Sequence, residues 1–195
     1  PATWNPTSRR RQIDANICET VFEGRDPKTG LSLRVECTEY SDYPVVEWVA
    51  WFTNTGSEAT PVLSNIRAID AAFTGASPVL QHQTGDSCSA ENLTPSKSQL
   101  QTGAPLTFTP NDGRPCDGQM PYYRIGFDGG GITLAVGWPG QWSATFEAIG
   151  DGVHIHAGQE QTHLRLEPGE RIRTPRITLM SWASDTTHAI NLWRR

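Results

Sequence analysis

Two runs with the composition of β-strands, Tyr122–Phe127 and Ile132–Trp138, flank three consecutive glycines. Glycine takes positive φ without steric cost, so the chain can reverse there and pair the two runs as an antiparallel hairpin. Gly137-Trp138-Pro139-Gly140-Gln141-Trp142 follows at once and sets two large aromatics around a rigid turn. A hairpin that ends in an aromatic corner is therefore the first expected element. Asp128, beside the glycines, reads as a turn residue.

The rest of the chain repeats this alternation of strand and turn. Period-2 runs bounded by Gly, Pro, Asn and Asp predict strands over Ile13–Phe22, Leu31–Glu39, Val45–Asn54, Ser64–Phe73, Leu106–Thr109, Ala144–Ile149, Val153–Ala157, Thr162–Leu166 and Ile172–Trp182. The expected fold is all-β: an antiparallel β-sandwich with few or no helices, a single domain over 1–195. Val45–Phe52 is apolar on nearly both faces, which suits a central strand, with Val46, Trp48, Ala50 and Phe52 turned to the core. Glu167-Pro168-Gly169-Glu170 has the chemistry of a type II turn. Residues 87–118 are rich in Ser, Thr, Pro, Gly and Gln and read as a long covering or functional loop. Residues 185–195 carry apolar positions that can start a helix.

Composition narrows the function. A net charge of −5 gives no electrostatic case for nucleic acid, and the run Arg9-Arg10-Arg11 reads as a solvated face. No apolar run approaches the ~20 residues of a membrane span. No signal peptide is recognisable, and a chain beginning at Pro1 is expected to be a mature form or a piece of something larger. A secreted or periplasmic location is favoured over a cytoplasmic one. Cys18 and Cys37 would face each other if Phe22 faces Leu33, leaving a disulfide or two buried thiols open; Cys88 and Cys116 could clip two loop segments together. CxxC spacing is absent, and no cofactor is expected.

Three constellations carry possible chemistry. Glu47, Asp70, Asp128 and Glu147 are the candidate carboxylates for a glycosidase pair. Glu47, next to Trp48 on a central strand, is either desolvated or paired with an arginine such as Arg67. His154 and His156 stand two apart on one strand face, and His163 would be a third metal ligand if the next hairpin brings it opposite; a polar exposed face is the simpler reading. Sugar sites combine aromatic faces with polar groups at their margin. Trp138, Gln141 and Trp142 meet that description, with Arg114 and Trp51 as further members and Tyr122 and Tyr123 as extensions. The competing reading buries the Trp pair in the core or against a neighbouring domain.

The motifs in order resemble the N-terminal sandwich domain of glycoside hydrolase family 36, the α-galactosidase (melibiase) group. Pro44-Val45-Val46-Glu47-Trp48 with Phe52-Thr53-Asn54-Thr55-Gly56 is similar to the family's strand and turn. Ser64–Asp70, Asn111-Asp112-Gly113-Arg114 with Pro121-Tyr122-Tyr123, the Gly-Trp-Pro-Gly-Gln-Trp corner, Leu166-Glu167-Pro168-Gly169-Glu170 with Arg173-Thr174-Pro175, and Asn191–Arg195 follow in the family's order. Asp112-Gly113-Arg114-Pro115-Cys116 departs from its Gly-Arg-Ser-Ser form. The resemblance implies a β-supersandwich of the galactose-mutarotase-like kind that packs on a (β/α)8 catalytic barrel, with 185–195 as the start of the linker to that barrel. It implies a non-catalytic role for these residues: binding glycan (a galactoside or plant-type oligosaccharide), shaping the active-site cleft, or mediating homo-oligomer contacts. An autonomous glycosidase using its own carboxylates, or a metal on His154, His156 and His163, is the alternative.

Overall fold

A computed structural model describes residues 4–195. The elements in chain order are β1 (Thr7–Gln12), β2 (Ile17–Arg25), β3 (Leu31–Tyr40), β4 (Val45–Asn54), β5 (Leu63–Ser64), β6 (Ile69–Thr74), β7 (Val79–Gln83), β8 (Pro95–Gln99), β9 (Leu106–Phe108), β10 (Tyr122–Phe127), β11 (Gly130–Gly137), β12 (Trp142–Ile149), β13 (Gly152–Gln159), β14 (His163–Leu164), β15 (Arg171–Arg173), β16 (Arg176–Ala183) and α1 (Thr186–Trp193). All pairings are antiparallel. A ten-stranded sheet runs β1-β2-β3-β4-β16-β11-β10-β7-β8, with β15 also on β4; a four-stranded sheet runs β6-β13-β12-β9; β14 and β5 form a small third sheet. The fold is the expected all-β sandwich.

The two larger sheets face each other through alternate side chains. Leu80, Tyr123, Ile125, Leu134, Val136 and Ile177 from the large sheet meet Ile69, Ala144, Phe146, Val153, Ile155 and Ala157 from the smaller one, all buried. Each Val, Leu, Ile or Phe side chain among them contributes about 1.5–3 kcal/mol on removal from water. β4 lies inside the large sheet, as its two apolar faces demand. Trp48 packs on this core and its Nε1–H donates to the Ala68 carbonyl at 2.8 Å. The buried apolar residue of β4, however, is Val49, on the opposite face.

Turn chemistry sets the hairpins. Asp128 and Gly129 make the reversal between β10 and β11, with Gly129 at φ 87° and Phe127 opposite Gly130. The next two glycines serve close approach: a Cβ on Gly130 would meet the Trp182 carbonyl at 2.4 Å, and one on Gly131 would meet the Trp182 ring at 2.3 Å. Trp182 thus lies flat on a side-chain-free stretch of the outer sheet face. There it joins Met180 and Ala189, the buried residue by which α1 docks. Asp185 caps that helix, its carboxylate accepting from the His188 N–H at 2.8 Å. Among the described residues no helix is long and apolar enough to cross a membrane.

Several expectations change. The run Ile13–Phe22 is broken because the Asp14 carboxylate accepts the N–H groups of Asn16 and Ile17, so β1 and β2 form a hairpin around residues 13–16. Arg9–Arg11 lie on β1, exposed throughout at the sheet edge, where charge discourages edge-to-edge pairing. Ile172–Trp182 is two strands, separated at Thr174-Pro175, and the 87–118 segment contains β8 and β9. The β2–β3 register sets Phe22 opposite Val35, Cys18 opposite Glu39 and Cys37 opposite Thr20. The anticipated Cys18–Cys37 facing pair does not form, and all four cysteines are free.

Asn54 fixes the far end of β4. It is fully buried; its amide donates to the carbonyls of Glu58 and Leu166, both at 2.8 Å, and its side-chain oxygen accepts from Gly56 N–H at 2.8 Å. Its backbone holds the Pro168-Gly169 turn, donating to Glu170 and accepting from Gly169. Asn54→Ala leaves these buried groups unpaired and is expected to destabilise the fold by about 2–4 kcal/mol, read as a lower urea midpoint; a change under ~0.5 kcal/mol contradicts this role.

Candidate functional site

The aromatic corner does not form a stacking platform. Trp142 begins β12 with its side chain wholly inside the core. Its ring meets Tyr123 edge-on at 6.2 Å, and its Nε1–H donates to the Pro115 carbonyl at 2.8 Å. Neither face of the ring is open to a saccharide, which corrects its reading as a sugar contact. Trp138 is half-buried against the same core, and the Arg173 guanidinium lies 5.1 Å from its ring centroid. Trp51 stands apart on the outer face of β4, covered by the Arg171 guanidinium at 4.2 Å, with its N–H donating to Glu36 at 3.0 Å. β15 thus caps Trp51 and Trp138 with cations. Tyr123 is buried among Phe108, Phe146 and Trp142, and only Tyr122 is exposed.

What the corner does build is a loop. The Gln141 amide donates to Thr109 Oγ1 at 2.7 Å and to the Pro110 carbonyl at 2.6 Å, and its oxygen accepts from Gly113 N–H at 2.8 Å. With Trp142 holding Pro115, adjacent residues grip the 109–118 loop at four points. The reversal needs left-handed backbone at Asp112 (φ 52°) and Gly113 (φ 71°). Inside the loop, Asn111 accepts from Arg114 N–H, Arg114 from Asp117 N–H, and Asp117 from Asn111 N–H. The Arg114 guanidinium pairs with the buried Asp117 carboxylate and lies 3.7 Å from Asp112. Gly85 is close enough to the loop that a Cβ there would meet the Cys116 carbonyl at 1.9 Å.

The loop borders an open cleft of about 580 Å³, lined by Asn111, Asp112, Arg114, Gln141, Glu160 and the Thr109 hydroxyl among others. Carboxylate, guanidinium and amide groups fixed in one place can hold hydroxyl groups by hydrogen bonds. Among the described residues no aromatic ring lines this cleft. Of the anticipated sugar contacts, Gln141 and Arg114 come together here, and Trp138, Trp142 and Trp51 do not. Glu160 is the member that the sequence pattern did not single out, while Asn111 and Asp112 stood in it as part of the Asn111–Arg114 motif and not as contacts.

The other constellations are dispersed. Glu47 pairs with Arg176 at 2.7 Å and accepts from Tyr40 OH at 3.2 Å, so its partner is Arg176 and not Arg67. His154 contacts Asp70 at 2.7 Å, and its ring centroid is 5.8 Å from that of His156. Burial, chiefly, holds His156 below the usual imidazole range. His163 sits opposite Ser64 in the separate β14–β5 sheet. The three histidines do not converge, and the described residues contain no group of three or more His, Cys, Asp or Glu placed to hold a metal.

No family model and no curated protein matches the sequence. Solved structures match the fold. The α-galactosidase from Lactobacillus brevis superposes with a TM-score of 0.79 at 17% identity, over 96% of this chain and 28% of that one. The GH36 α-galactosidase AgaA from Geobacillus stearothermophilus gives 0.74 at 16% identity, over 93% and 28%. The galactosidase domain of the α-galactosidase-sucrose kinase AgaSK gives 0.74 at 13% identity, over 92% and 27%. Variants of AgaA were solved with raffinose and with stachyose. The likeness to the α-galactosidase group read from the motifs therefore holds in three dimensions, as a shared fold, and the chain spans little more than a quarter of each of these proteins.

Gln141→Ala removes three of the four grips on the loop. It is expected to cost about 1–3 kcal/mol in denaturant unfolding and to open new protease cleavage within residues 109–118; an unchanged cleavage pattern contradicts the clamp.

Proposed function

We propose that this chain is the non-catalytic sandwich of an α-galactosidase-like glycoside hydrolase, and that it presents the 109–118 loop as a fixed polar wall of a carbohydrate cleft. The reading is carried by one observation: Gln141 and Trp142, seated at the edge of the core, pin that loop in place. A wall of this kind works by preorganisation. Hydroxyl groups meet donors and acceptors already in position, so little ordering entropy is lost on contact. Arg114 and Asp112 are the exposed groups for that contact, on a loop whose backbone is tied together at Asn111, Arg114 and Asp117.

The fold likeness supports the setting, since the similar part makes up about 28% of proteins described as α-galactosidases. In this reading the hydrolytic carboxylates belong to a (β/α)8 domain joined through α1. The oligosaccharide is galactoside-containing.

Incubated with p-nitrophenyl α-galactoside, the purified chain is expected to give no turnover above blank, with or without EDTA. Calorimetry with raffinose, run well below the unfolding midpoint (which loss of the Asp117 partner lowers), is expected to show weak binding that falls about tenfold, or 1.4 kcal/mol, in Arg114→Ala. Turnover by the chain would overturn the accessory role. Raffinose binding that is unaltered in Arg114→Ala would overturn the loop as the contact.

A further inference from the structure

A second cavity, of about 700 Å³, lies between the outer face of the large sheet and α1. Strand register lays a row of side chains along that face, with Lys97 beside Gln81, Gln81 beside Arg124 and Arg124 beside Thr133. Arg124 is the half-buried centre of the row. One Nη donates to Gln81 Oε1 at 3.2 Å, while its Nε is buried without a hydrogen-bond partner. Thr133 Oγ1 beside it is also buried and unpartnered. Among the described residues Arg124 forms no ion pair.

The rest of the lining deepens the imbalance. Lys97 and Arg194 add two cations, and among the described residues no Asp or Glu lines the cavity, in a chain whose net charge is −5. Tyr122 and Trp193 stand on its wall, edge to face, with centroids 6.2 Å apart. A half-buried guanidinium without a counter-charge is costly, and burial lowers its pKa accordingly. Its planar fork matches a carboxylate or a phosphate bidentately. The neighbouring aromatics supply apolar area for a ring-shaped body.

We propose that this cavity binds a sugar-sized anion, with its carboxylate or phosphate on Arg124 and its ring against Tyr122 and Trp193. A uronate and a sugar phosphate share this chemistry. A carboxylate carried by a docked protein would satisfy the charge but not use the aromatic wall of the cavity. This inference rests on the cavity alone and is independent of the role proposed for the 109–118 loop.

The test is calorimetric titration of the protein at low salt with galacturonate, galactose 6-phosphate and neutral galactose. At least one anion should bind about tenfold or more tightly than galactose, and added salt should weaken it. The arm that binds more tightly identifies the class. Arg124→Gln should weaken that anion about tenfold or more, while its unfolding midpoint stays unchanged or rises, because an uncompensated charge has been removed. Arg124→Lys should fall between, keeping charge and losing the fork. Lys97→Ala, at an exposed position, should weaken the anion without touching the fold. Equal affinity for galactose, anion affinity unaltered in both Arg124→Gln and Lys97→Ala, or no heat from either anion would overturn the proposal.

Discussion

The interior of the sandwich closes on one aromatic contact: Tyr123 from the large sheet against Phe146 and Trp142 from the small one, with centroids at 4.6 and 6.2 Å. Because Trp142 is both a member of that core and the donor to Pro115, the loop outside inherits the rigidity of the packing inside. Gln141, one residue earlier, takes the remaining grips. A side-chain pair at the start of one strand therefore converts hydrophobic burial into a defined polar surface. Without it the 109–118 segment would be a ten-residue excursion with no apolar anchor of its own.

A similar device recurs at the C-terminal end of β4. Asn54 gathers the backbone of residues 56–58 and the Leu166–Glu170 turn around one buried amide. On the outer face of the large sheet a different solution appears: Trp182 lies over glycines instead of side chains, and α1 rests beside it through Ala189. That helix then forms one side of the cavity over Arg124. The two polar sites are thus built by different means, one by hydrogen bonds reaching out from the core edge, the other by a helix spanning an open sheet face.

Much of this was legible in the residues. Asp128 with the glycines, Pro168-Gly169 and the doubly apolar Val45–Phe52 each name their own structure, because turn chemistry and strand burial are local properties. β1, β7 and β8 were not legible. Arg9–Arg11 and Pro95–Gln99 are edge strands without an apolar face, so alternation carries no signal there, and only the neighbouring strand makes them extended. The Cys18–Cys37 expectation failed by a two-residue register shift that no local pattern dictates. Trp142 was misassigned for a related reason: beside a tight turn, residue type does not say which way a side chain points. Arg124 was invisible because its significance lies in what is absent around it, and that is a property of the folded surface.

The claim on which the account turns is that the Trp142 indole N–H transmits order from the core to the loop. Trp142→Phe keeps an aromatic body in place and deletes the N–H, so amide hydrogen exchange separates the two roles. The account predicts faster exchange across residues 111–118, with protection in β10 and β13 little changed. Equal loop protection in Trp142→Phe and the parent chain would contradict it.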